Sequence, residues 1–299
     1  MTQLSEGTRV SRSAIRPARG RRSQRRSRTT TRLISYALLS IGAVAFIGPL
    51  LWMVTTSLKT KAEIFSYPIT LLPAVPQWHH YVELFTAQPF LQYILNTLLY
   101  TVIGVIGSLV GSSCAAFAFA RMRFRLRGPA FAVMMATVMI PSWVTLIPAY
   151  IMFSRIGWLD TYLPLLVPAF FAAPVNTFLL RQFFRSIPKE IEEAARIDGA
   201  GNLRFFFMIL LPLSKSALLV IAIFSFVFYW NDFMGPLIYL TSQGKFPIQL
   251  GILNFVGENT QDYALMMAGA TLAILPCVVL FFIAQRWFIQ GIVITGVKG

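Results

Sequence analysis

Long apolar runs alternate with short polar segments along most of the chain. Six runs stand out, at about 33–57, 90–119, 128–153, 161–183, 205–230 and 264–289. About 20 apolar residues in a helix cross the hydrocarbon core of a bilayer. The pattern therefore predicts an all-α polytopic membrane protein with six transmembrane helices. The third and fourth runs carry Pro141, Pro148, Pro164, Pro168 and Pro174. Prolines are tolerated in membrane helices where neighbours satisfy the freed carbonyls, and they suit a pathway that bends. Leu33–Ser57 is longer than the apolar region of a signal peptide, about 7–15 residues, and reads as a retained helix.

One polar segment, SIPKEIEEAARIDGAG at 186–201, has a helical pattern of its own. Ser186 is placed to cap the helix and Pro188 fits its first turn. Glu190, Glu192 and Glu193 lie near the start, where the helix dipole favours acids. Ile187, Ile191, Ala194, Ala195 and Asp198 share one face at helical spacing. Gly199 or Gly201 ends the helix, and Asn202 is placed to cap the next one. A helix of about a dozen residues is marginal alone in water, so it packs against something. Two supports are open: the protein's own inner surface, or a partner that approaches closely over the alanines.

Composition agrees with the membrane reading. Hydrophobic residues make up 56% and charged residues 12% of the 299, against about a quarter charged in soluble domains. The net charge of +15 is unevenly spread, since ten of the 26 basic residues lie within 1–32, where Glu6 is the single acid. That segment reads as a basic, disordered tail preceding one transmembrane domain at 33–299. It lacks interleaved aromatics, which argues against nucleic acid and for a juxtamembrane anchor on anionic lipid. With the N-terminus inside, the inner segments 1–32, 121–127 and 181–204 carry 19 Lys/Arg, and the outer segments 58–89, 154–160 and 231–263 carry four. This positive-inside bias puts both termini and the 186–201 helix in the cytoplasm.

The charges also limit the chemistry. Lys215, Asp232 and Arg286 lie toward span ends, where they can snorkel, and the spans hold no chain of acids or histidines for proton or sodium coupling. A secondary transporter is thereby disfavoured. No GxxxxGK[ST] phosphate loop occurs, so an energy source must lie outside the chain. Cys114 and Cys277 both fall within apolar runs and read as packing residues. His79 and His80 are adjacent, a spacing that does not bring two side chains together on a helix, so no metal site is expected. With Trp78 and Tyr81 they read as an interfacial belt.

Glu193-Ala194-Ala195, three residues, Gly199, nine residues, Ile209, one residue, then Leu211-Pro212 resembles the EAA loop of binding-protein-dependent ABC transporter permeases. Asp198 before the glycine fits the same pattern. Trp230-Asn231-Asp232-Phe233 with Pro236-Leu237, Asn96-Thr97, Gln285-Arg286 and the terminal Val297-Lys298-Gly299 resemble the sugar-transporting, maltose-type branch. The ending departs from the branch's GLTAGAVKG, reading GIVITGVKG with Val293 and Thr295 in place of Thr and Gly.

The resemblance implies a type I ABC importer permease in a bacterial or archaeal cytoplasmic membrane. Residues 186–201 would be the coupling helix of a transport subunit that does no catalysis of its own. Glu193 would pair with a basic residue of the ATPase, Ala194 and Ala195 would allow close packing, and Gly199 would form the turn. Val297, Lys298 and Gly299 would touch the same subunit. The chain itself would need no cofactor, and ATP and Mg would be bound by two partner ATPase subunits. A second homologous permease and an extracytoplasmic sugar-binding protein would complete the complex. Asn176, Trp230 and Asn231 are the candidates for lining a sugar pathway, with helix bridging and interfacial anchoring as their alternatives. The cargo class stays open between a di- or oligosaccharide or related glycoside, a glycerol phosphate or glycerophosphodiester, and another solute.

Overall fold

The computed structural model describes residues 20–255 and 262–295, with side chains over 32–255 and 262–285. Val297, Lys298 and Gly299 lie outside the described residues, as do Gly257, Asn259, Gln261 and residues 1–19. All regular structure among the described residues is helical. The chain divides into two compact units, 1–52 and 53–299.

The first unit holds most of α1 (Gly20–Ser57). This helix starts inside the arginine-rich segment, so part of the stretch expected to lack structure is helical. Arginine is a good helix former, and a helix already nucleated by the apolar run propagates into it at little cost. Arg32–Ser57 is long and apolar enough to span.

The second unit is organised around α3 (Phe90–Arg121), which follows the short α2 (His79–Ala87). At 32 residues, α3 is about 48 Å long. Its buried side carries small residues, among them Gly104, Gly107, Ser108, Gly111 and Ser112. Small residues let membrane helices approach closely. A Cβ on Gly111 would come within 2.5 Å of the Phe170 carbonyl oxygen and 2.6 Å of that of Phe171, so only glycine fits there.

Two further spans are Leu163–Ser186, whose helix is broken at 171–173, and Tyr263–Gln285. The first ends in α6 (Pro174–Ser186), and the second belongs to α10 (Tyr263–Thr295). The other two expected spans are bent pairs. Arg127–Met139, containing α4 (Arg127–Ala136), meets α5 (Ser142–Arg155) at 101°. The break falls at Ile140-Pro141, where both residues are extended, because proline disfavours helix in the residue before it. Likewise α8 (Asn202–Leu213) meets α9 (Lys215–Trp230) at 78°. Six spans result if each bent pair counts as one. Between α6 and α8 lies the nine-residue α7 (Lys189–Ile197).

Candidate functional site

The sequence pointed to 186–201, and the structure revises how that segment is built. Ser186 does not cap α7: it is the last residue of α6, and its hydroxyl donates to the Phe183 carbonyl at 2.7 Å. Pro188 occupies the position before α7 instead, pre-set for helix entry by its fixed φ. Gly199 ends the helix at φ +78, a left-handed conformation that glycine adopts without strain. Gly201, not Asn202, precedes α8, and the Asn202 Oδ1 accepts from Arg196 at 3.4 Å.

The expected shared face also divides. Each helical residue turns by about 100°, so Ala194 and Ala195 point to different sides. Ala195 is buried and belongs to a core cluster with Ala116, Phe117, Leu180, Phe184, Phe205, Phe206, Leu210 and Ile221. It seats α7 on α3, α6, α8 and α9 rather than facing outward. Glu190, Glu193, Ala194 and Ile197 form one exposed stripe, at i, i+3, i+4 and i+7, with Ile197 87% exposed; Lys189, Ile191 and Arg196 flank it and are also exposed. Two acids, one small residue and one large apolar side chain thus face away from the protein. Asp198 and Gly199 are exposed beside them. Glu192 turns the other way: one of its carboxylate oxygens accepts from Arg196 at 2.8 Å and the other from Arg121 at 3.4 Å.

The later part of the motif has a separate job. Ile209 and Leu211 pack against the same core cluster as Ala195. Phe206–Leu210 is π-helical, and Leu211 N–H reaches back five residues to the Phe206 carbonyl. Pro212 follows, with no N–H to donate, and Ser214 marks the bend into α9. Its buried hydroxyl donates to the Leu210 carbonyl at 2.7 Å, beside the Ser214 N–H that reaches the same oxygen at 3.1 Å.

At the other end of α3 lies a polar network that the sequence did not signal. The Asp160 carboxylate accepts from Lys245 Nζ at 2.7 Å, Ser242 Oγ at 2.5 Å, Ser242 N at 2.9 Å and Thr241 N at 3.0 Å. Lys245 and then the Ser242 and Thr241 donors hold this carboxyl well below the usual carboxylate range. Asp160 itself sits at φ +55. Asn96 donates to the Gly244 and Phe246 carbonyls, and Gln92 also donates to Gly244. The Thr97 hydroxyl accepts from Ile248 N at 2.7 Å. Residues 241–248 are therefore pinned to α3 and to the 157–162 turn. The spacing of Asp160 to Lys245, 85 residues, gave no local signal for this.

The three pathway candidates do not form one cluster. Trp230 is buried and its indole N–H donates to the Ala273 carbonyl at 2.8 Å, so in this conformation it joins α9 to α10 and offers no face to a solute. Asn231 is exposed, and its Oδ1 accepts from Gln249 at 3.4 Å. Asn176 is half-buried in the first turn of α6, and no hydrogen bond links it to either. Asp232, expected to snorkel, instead accepts from the Tyr100 hydroxyl at 2.6 Å and from Gly235 N at 3.1 Å.

His79 and His80 also depart from expectation, with rings 4.4 Å apart at the start of α2. The His80 Nδ1 lies 2.9 Å from the Ser57 carbonyl oxygen. With Glu83 they offer ligand atoms that all lie within 4.8 Å of one another. Cys114 is exposed and Cys277 half-buried, each as a free thiol.

A family profile, the binding-protein-dependent transport system inner membrane component, matches residues 107–294. The chain belongs to that family. Its members are permease subunits of ABC transporters. A melibiose/raffinose/stachyose import permease, MelC of Bacillus subtilis (strain 168), is 35% identical, with 92% of this chain and 100% of that protein covered. An sn-glycerol-3-phosphate transport system permease, UgpE of Pectobacterium atrosepticum, is 31% identical over 87% of this chain and 95% of the relative. Among solved structures, a chain of a bacterial ABC transporter involved in the import of alginate superposes with a TM-score of 0.79 at 24% identity. That superposition covers 88% of this chain and 98% of the other, and supports the permease fold.

Proposed function

We propose that this permease carries a di- or oligosaccharide, or a related glycoside, across the cytoplasmic membrane. It does so with a second permease, two ATPase subunits and an extracytoplasmic sugar-binding protein. The cargo class rests on the sugar permeases among its relatives, MelC, AraQ and GanQ, at 32–35% identity. The positive-inside charge distribution supports a cytoplasmic α7 and an outer 241–248 loop.

The observation that carries the coupling role is the outward stripe of α7. A nine-residue helix with one buried residue, Ala195, exposes Glu193, Ala194 and Ile197 beside a left-handed Gly199. Ala194 lets a partner surface come close, Ile197 supplies apolar area, and Glu193 meets a basic residue of the ATPase. ATP-driven closure of the ATPase pair moves α7, and the pathway switches from inward- to outward-facing. The bends at 140–141 and 214 give two spans a joint at which segments can move apart. Val297, Lys298 and Gly299 add a second contact to the ATPase. Asn231 and Asn176 remain the pathway candidates of this chain, and Trp230 takes part in the pathway only if α9 and α10 separate during the cycle.

The deciding experiment purifies the complete complex with its binding protein and measures ATP hydrolysis against a panel of ligands. A di- or oligosaccharide is expected to stimulate. Stimulation by glycerol 3-phosphate alone would replace the sugar reading with the cargo named for UgpE.

A further inference from the structure

Arg121 ends α3, and its side chain is only 5% exposed. Burying a guanidinium is costly unless its donors are satisfied. Here Nη2 donates to the carbonyls of Phe184 at 2.5 Å and Ile187 at 2.6 Å and Nη1 donates to Glu192 Oε2 at 3.4 Å, while the buried Nε has no partner among the described residues. The two carbonyls belong to the last turn of α6 and to the linker before α7. Such carbonyls at a helix C-terminus lack intrahelical partners, and a cation there also meets the negative end of the dipole. Glu192 lies on the inner side of α7. One side chain therefore joins three elements: the end of α3, the end of α6, and α7.

The rest of α7 has little hold on the protein. Ala195 is its single buried side chain, and burying one methyl contributes about 1 kcal/mol or less. In contrast, α3 is the helix against which α6, α9 and Val167–Phe170 all pack. A force delivered to α7 reaches the spans through covalent links at both ends, which contain Pro188 and Gly199, and through Arg121.

We propose that Arg121 is the positioning residue that makes α7 move as one body with α3 and α6, so that ATPase motion is converted into movement of the spans. Without it, α7 still folds and still meets the ATPase, but it swings on its linkers and hydrolysis runs without transport. This rests on the reading of α7 as the ATPase contact.

The test uses the complete complex with Arg121→Gln, Arg121→Lys and Glu192→Gln. Spin labels on the native Cys114 of α3 and on Lys189→Cys of α7, with Cys277→Ser, report how tightly α7 is held. Arg121→Gln is expected to retain both ATPase subunits, broaden the Cys114–189 distance distribution, and lower solute moved per ATP about tenfold. Glu192→Gln keeps both carbonyl contacts and should lower that ratio only about two- to threefold. Arg121→Lys should fall between them, because an ammonium cannot span three acceptors as a planar fork does. Arg121→Glu combined with Glu192→Arg should not rescue, since a carboxylate repels the two carbonyls; full rescue would leave only a simple ion pair and overturn the assignment.

An unchanged distance distribution and an unchanged transport ratio in Arg121→Gln would overturn it too. So would loss of the ATPase subunits from the complex, which would make Arg121 a folding or docking residue. If the Arg121→Gln permease cannot itself be produced, Arg121→Lys and Glu192→Gln decide by the same two readouts. If Glu193→Lys leaves ATPase association and coupling intact while Arg121→Gln still broadens the distances, the ATPase reading of α7 fails and the positioning role stands.

Discussion

The two ends of α3 hold their attached segments in contrasting ways. At its N-terminal end, the 241–248 loop is fixed by a dense set of hydrogen bonds, donated by Asn96 and Gln92 and accepted by Thr97 and Asp160, mostly with backbone groups. At its C-terminal end, α7 is fixed by Arg121 and one buried alanine, and leaves a mixed acidic and apolar stripe exposed. The first arrangement suits a platform that must keep its shape when a partner docks and leaves. The second suits a lever, which is held at one point and moves when pushed. About 38 Å of continuous helix, Asn96 to Arg121, connects the two.

The sharpest way to break this contrast is charge reversal on the exposed stripe. Glu193→Lys should lower uptake at least about tenfold in assembled complexes, because a partner that offers a basic residue now meets a like charge. Normal uptake with normal binding-protein-stimulated hydrolysis would remove α7 as the energy input. The neighbouring alanines separate the two faces of the same helix. Ala195→Leu overfills the core and should destabilise the permease by about 1–3 kcal/mol, read as a lower melting temperature in detergent. Ala194→Leu should leave that melting temperature unchanged and weaken ATPase co-purification instead. If both behave alike, the assignment of an inner and an outer face is wrong.

The platform end should respond differently. Asp160→Ala leaves the Ser242 hydroxyl and two backbone N–H groups without their acceptor and Lys245 with only the carbonyl of residue 160, and should reduce binding-protein-stimulated hydrolysis a few-fold while basal hydrolysis is kept. Its pH dependence follows from the sign of the shift. A carboxyl held below its usual range contributes above its unfolded value and loses that contribution only as pH falls through the lower folded value. The loop should therefore keep the same protease resistance from about pH 8 down to about pH 5. A loosening near pH 5 would show that the Asp160 network is not formed in the complex. The smallest effect is expected at Ser186→Ala, within about 0.5 kcal/mol in melting experiments, since its hydroxyl bonds within α6 and caps nothing.

Much of the coupling segment was legible because its signals are local. Pro188 and Gly199 bracket a short helix, and the positive φ at Gly199 is what a glycine in that place suggests. The division of its faces was not legible. Ile187, Ile191, Ala194, Ala195 and Asp198 satisfy helical spacing whichever side is buried, and only contact with Phe117, Leu180 and Phe184 from other helices selects Ala195. The pathway candidates fared unevenly for the same reason. An aromatic beside two polar residues reads alike whether its N–H meets a solute or, as for Trp230, the carbonyl of Ala273. His79 and His80 show the limit of a spacing rule at a helix start, where the two rings approach each other and Glu83.

By itself the sequence determined that this is a helical membrane protein with several spans, a lopsided charge distribution and a short amphipathic helix between two of them. Hydrophobic length and charge are properties of the chain that survive any arrangement of its parts. The tertiary structure decided where the third and fifth spans bend and which face of α7 is free. It also brought Asp160 onto a loop 85 residues away and let Arg121 tie α7 to α3 and α6 by hydrogen bonds. Those outcomes depend on which helices meet, and a buried charge or carbonyl finds its partner only after they do.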